Sequence, residues 1–182
     1  MTTTSAIEFS AVAATGSGWV ALWDAASFAH MTDQAIWEEE LIEPDEAGHL
    51  AEGHLVPLNI LCDGRFGVHV RFSAAAAPEL NEREAAYREM ESEPYLFRSN
   101  GTVHVTGVEY IGKYADEEPP QAFTLPAGEY AATVHMLDWE KEPGMLLDDG
   151  KAATDALPDF VVLVGPITDQ EFRCDEVTFD DI

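Results

Sequence analysis

Six histidines, two cysteines and thirty-five acids are the side chains here that carry chemistry. His69, His104 and His135 each fall on the polar phase of a stretch that alternates apolar and polar residues. On neighbouring strands, three such imidazoles would converge as in a catalytic zinc site. The simpler reading is three unrelated, half-exposed strand histidines. No ligand set has a recognised metal spacing, so neither a metal nor any other cofactor is expected. His49 and His54 flank four residues of a polar stretch bounded by Pro44 and Gly53, and they read as loop. Gly16-Ser17-Gly18 lacks the lysine and the following helix of a phosphate cradle. No Gly-x-Ser-x-Gly elbow occurs, and neither Cys62 nor Cys174 has a histidine beside it. No carboxylate pair carries a glycosidase signature. No catalytic residue is assigned, and the chain is not read as an enzyme.

Charge sets the class of partner. Thirty-five acids against nine bases give a formal net charge of −26. Such a chain repels nucleic acid and anionic membrane surfaces and attracts basic proteins or cations. Adaptation offers a second reading. Only Lys113, Lys141 and Lys151 are lysines, as in halophile proteins, and the alanine-rich background fits a GC-rich genome.

These residues need elements to hold them. The length of 182 residues fits a single domain, 1–182, with a core of its own. A hydrophobic share of 46% excludes disorder. No apolar run approaches the roughly 20 residues of a membrane span. The first residues lack the basic and apolar regions of a signal peptide, which points to the cytoplasm. Two distant cysteines imply no disulfide framework and are expected as reduced, mostly buried thiols.

Residues 54–72 read as the clearest β-hairpin, with Asp63-Gly64 in its turn. Phe66, Val68, Val70 and Phe72 then alternate with Arg65, Gly67, His69 and Arg71. Tyr130, Ala132, Val134 and Met136 alternate in the same way. Residues 5–13 and 19–23 read as a strand and its return. Residues 94–97 and 102–110 bracket Ser99-Asn100-Gly101, a second hairpin turn. Residues 160–164 are nearly all β-branched, as in a strand covered on both faces. Residues 171–177 add a last strand, and residues 179–182 form an acidic end. Helix is expected in 24–42, capped by Asp24, Ser27, Thr32 or Asp33 and stopped by Pro44, and again in 79–92. Residues 44–53, 115–121 and 141–158 read as connectors. This count, without βαβ alternation, gives a mainly β protein: an antiparallel β-sandwich with one or two short helices in its connections.

The turn motifs carry a resemblance. Pro57-Leu58-Asn59-Ile60, Cys62-Asp63-Gly64-Arg65-Phe66-Gly67-Val68-His69-Val70 and the later Leu125-Pro126-Ala127-Gly128-Glu129-Tyr130 resemble bacterial β-sandwich proteins of the ComJ-like competence-nuclease-inhibitor type. The likeness spans residues 55–139 and rests on structural turns. It implies an acidic protein that inhibits a nuclease by binding it, and it carries no residue-level functional signature.

Two functions follow. The first is an acidic inhibitor or immunity-type protein that occludes a basic partner such as a nuclease or toxin. Its contact residues would be Trp37, Glu38, Glu39, Glu40 and Glu43 in one segment and Glu84, Tyr87 and Glu91 in another. The acids would steer association and the aromatics would anchor it. The second is a ligand- or metal-binding sandwich that uses the polar strand faces with His69, His104 and His135, its acidity being adaptive.

Overall fold

The computed structural model describes residues 6–42, 46–112, 121–175 and Phe179. Ten strands form two sheets. Sheet A contains β1 (Ile7–Thr15), β4 (Gly64–Phe72), β5 (Arg88–Glu91), β6 (Tyr95–Ser99), β9 (Gly128–Leu137) and β10 (Phe160–Gly165). Its order is β1-β4-β10-β9-β5, and β6 also pairs with β9. Sheet B contains β2 (Trp19–Asp24), β3 (Leu55–Asn59), β7 (Thr102–Gly107) and β8 (Phe123–Thr124), in the order β3-β2-β7-β8. All pairs are antiparallel except β10 with β4.

The period-two stretches make the core. Phe66, Val68, Val70 and Phe72 of β4 and Tyr130, Ala132, Val134 and Met136 of β9 are all buried. They pack with Val20, Leu22, Val56, Leu58, Val103 and Val105 of sheet B in one cluster between the sheets. β10 is covered on both sides, as its β-branched run requires. Phe160, Val162 and Val164 enter the central core, while Val161 and Leu163 join Leu137 in an outer cluster.

The tight turns do not close hairpins. β3 pairs with β2 and β4 with β1 and β10, so residues 60–63 carry the chain from sheet B to sheet A. Residues 16–18 join β1 of sheet A to β2 of sheet B, and Asn100-Gly101 joins β6 to β7 in the same sense. An Asp-Gly or Asn-Gly turn encodes a reversal of direction. Whether the strands stay in one sheet is decided by the partners each finds across the core.

The helices are shorter than the sequence signals. α1 (Gln34–Leu41) starts at Asp33, whose side chain accepts the Ile36 N–H, while residues 25–30 form turns before it. The stretch expected as a polar loop holds α2 (Glu46–Glu52). The helix expected over 79–92 shrinks to α3 (Glu82–Ala86), capped reciprocally by Asn81 and Glu84, and the chain then enters β5. Pairing of β5 with β9 outweighs the helical propensity of its glutamates. Of the last strand expected at 171–177, the described part makes a single bridge, Arg173 with Tyr95. Pro44 and all but Gln121 and Phe179 of the expected acidic connector and acidic end lie outside the described residues. Among the described residues no helix is long and apolar enough to cross a membrane.

Candidate functional site

α1 and α2 sit on the outer face of sheet B. Leu41 and Leu50 pack with Ala21, Trp23, Leu55, Phe28 and Met31 in a second core. Trp37 belongs to the edge of that core, half-buried, and its indole N–H donates to the Val108 carbonyl at 3.0 Å. The inward face of α1 is therefore Ile36, Trp37 and Leu41, and its other faces meet water. Glu38 and Glu39 are exposed there. Glu38 accepts a hydrogen bond from Gln34 at 2.6 Å. No lysine or arginine among the described residues pairs with either. Ile42, directly after the helix, is 65% exposed. Glu43 lies outside the described residues.

Glu40 faces a different environment. Its carboxylate accepts from His30 Nε2 at 2.8 Å and from His49 Nε2 at 3.1 Å. The Nδ1 atoms of His49 and His54 lie 2.9 Å apart in a ring-to-ring hydrogen bond, and His54 Nε2 lies 3.3 Å from the Glu52 carboxylate. Burial and the neighbouring His49 push the His54 pKa down, which favours the neutral ring. Glu40 thus clamps α1 to α2 and to the turn before α1. The residues read as loop histidines are structural.

The second group lies elsewhere, on α3 and the β5 edge of sheet A, and its charge is matched. Glu84 is buried at 4% exposure and accepts two Arg71 hydrogen bonds at 3.0 Å each. Glu91 pairs with Arg88 at 2.6 Å, Glu89 with Lys141 at 2.9 Å and Glu93 with Arg173 at 3.5 Å. Tyr87 is half-buried, and its carbonyl accepts the Asp138 N–H at 2.9 Å. The eight sequence-assigned residues therefore do not form one patch. Trp37, Glu38, Glu39 and Glu40 lie over sheet B, whereas Glu84, Tyr87 and Glu91 lie at sheet A. Ile42 is the surface residue the sequence reading missed; its exposure is visible only once Leu41 takes the inward position.

The three strand histidines do not converge. His69 and His135 both register with Val161, on strands flanking β10, roughly 10 Å apart at the usual strand spacing. His104 is on the outer face of sheet B, stacked near Trp23 at 4.6 Å, with Nδ1 3.0 Å from the Gln121 carbonyl. His135 is 4% exposed, burial lowers its pKa, and its Nδ1 has no partner. Among the described residues no group of three or more histidines, cysteines or acids is placed to hold a metal ion. Cys62 and Cys174 are free, as expected, but both are exposed.

Two sheets packed over one core, with α1 and α2 on the outer face of the smaller sheet, define a β-sandwich. No family model matches the sequence, and no curated protein matches it. Among solved structures the fold is similar to that of the crocagin biosynthetic gene J product, with a TM-score of 0.56 and 18% identity over 89% of this chain and 97% of that one. It is also similar to ComJ of Bacillus subtilis, inhibitor of the DNA degrading activity of NucA, with a TM-score of 0.48 and 13% identity over 90% of this chain and 96% of that one.

Proposed function

We propose that this protein is an acidic binding module, an inhibitor or immunity-type protein, that occludes a basic partner through the face presented by α1. One observation carries the reading. Glu38 and Glu39 stand exposed on α1 with no lysine or arginine among the described residues paired to them, beside the exposed Ile42. The acids at β5 are paired internally. Unmatched carboxylates steer a cationic surface to this face, and Ile42 supplies an apolar group to desolvate on contact. Trp37 backs the face from below, and Glu40 keeps the helix in place. The sequence resemblance implies a nuclease as the partner. The free, exposed thiols of Cys62 and Cys174 fit a reducing, cytoplasmic compartment.

The test is capture followed by inhibition. Immobilised protein is exposed at low salt to a lysate of the source organism, in parallel with Glu38→Lys/Glu39→Lys bait. The bound protein is identified and its nuclease activity is assayed with and without the module. A basic protein retained by the native bait, lost by the variant and inhibited on binding supports the reading. A partner retained equally by both baits contradicts it.

A further inference from the structure

We infer that a cleft on the outer face of sheet A binds a small organic anion, independently of any partner at α1. The cleft has a volume of about 1040 Å³. It is lined by Val12 of β1, Arg65 and Gly67 of β4, Trp139, and residues 152–154 and 156–159. Pro158 and Asp159 cover Gly67, where an added Cβ would meet them at 3.5 and 3.6 Å, and Val12, registered directly beside it, is 62% exposed and leaves the neighbouring surface open.

The charge arrangement selects the ligand. Arg65 lines the cleft and is exposed. Every other lysine and arginine among the described residues sits in an ion pair with a carboxylate, and Arg65 has none. In a chain with thirty-five acids this is an unmatched guanidinium. The two cleft carboxylates are turned to internal donors. Asp159 accepts the Gly67 N–H at 2.6 Å and the Trp139 indole N–H at 2.9 Å. Glu84 accepts two Arg71 hydrogen bonds at 3.0 Å and the Asn81 N–H at 2.8 Å. An acid group on the ligand meets Arg65 in a charge-assisted, two-pronged geometry. Its apolar body lies along Val12, Leu157, Pro158 and Trp139. Arg83 also lines the cleft but is held by Glu142 at 2.7 Å, so Arg65 is the lining guanidinium left for a ligand beside the apolar wall.

The test uses 2-naphthoate, its uncharged amide 2-naphthamide, and acetate as an acid without a body. Binding is followed by amide chemical shifts and calorimetry on the full chain. Saturable shifts at Gly67 and Ala153 are expected with 2-naphthoate. Binding of the amide, of acetate, and of 2-naphthoate to Arg65→Gln is expected to be weaker by about tenfold or more, the loss of one charge-assisted contact. Val12→Asp, at an exposed position, is expected to remove naphthoate binding while the rest of the spectrum stays native. The inference is overturned if acid and amide bind equally, if Arg65→Gln binds as the native chain does, or if 2-naphthoate causes no saturable shift.

Discussion

Glu84 and Asp24 are carboxylates taken out of water, and each is held ionised by a different means. Burial alone would raise the Glu84 pKa from its ordinary 4.5, but the Arg71 hydrogen bonds and the Asn81 N–H outweigh it and lower it. Burial likewise opposes Asp24, and the side chain and N–H of Asn100 with those of Ser27 win without any counter-cation. A carboxyl with a depressed folded pKa contributes stability above its ordinary range and loses it as pH falls through the folded value. His54 and His135 act at higher pH. Their folded pKa values lie below 6.5, burial being the main cause, so the unfolded chain takes up protons first on acidification. Denaturant titrations from pH 7.5 to 3 should therefore show stability falling in two stages, one starting near pH 6.5 and one below about pH 4.5. Glu84→Gln should cost about 3 kcal/mol at neutral pH, the low end for breaking a buried ion pair, and should flatten the acidic stage. An acid limb unchanged in Glu84→Gln would show that Arg71 does not hold this carboxylate.

At the scale of elements, the crossings between sheets organise the fold. The Gly18 carbonyl accepts the N–H groups of Ile60 and Leu61 at 2.8 and 2.9 Å, so the first crossing docks on the third strand's exit. Gly18 has φ +72, and a Cβ there would lie 2.8 Å from the Cys62 nitrogen. Gly18→Ala is expected to destabilise by about 2 kcal/mol or more, from a left-handed backbone and a contact with unyielding main chain. Thermal unfolding checks this, and a melting temperature unchanged by the substitution would contradict the docked crossing. Asp24 locks the β6–β7 crossing in the same way, accepting the Asn100 N–H at 2.7 Å and its side-chain amide at 2.8 Å. Strands were legible in the sequence because period two survives in β4 and in the first half of β9, where one face is buried. Sheet membership was not, because a turn signal says nothing of which strand lies across the core. α2 was hidden by a polar stretch in which Leu50 is the residue buried among those whose side chains are described, and β5 by a charged stretch whose pairing is supplied by β9.

Across the whole molecule, composition told of a large negative charge but not of its distribution. Arg71, Arg88, Lys141 and Arg173 are distant in sequence from many of the acids they match, and they gather at the α3 and β5 side. On α1, Glu38 and Glu39 are left with no lysine or arginine paired to them among the described residues. The acidic run at 38–40 was readable from the sequence, and Glu38 and Glu39 stand exposed as a charged run on a helix requires. That Glu40 belongs to a histidine clamp, and that Ile42 stands outside, required the packing of α1 on sheet B. The central claim is that Glu38 and Glu39 steer a basic partner onto α1. Stopped-flow association with the captured partner, measured against ionic strength, tests it most directly. The expected association rate falls as salt rises and is lower by about tenfold in Glu38→Lys/Glu39→Lys at low salt, with a flatter salt dependence. A rate that is the same at low and high salt, or the same in the variant as in the native protein, would contradict it.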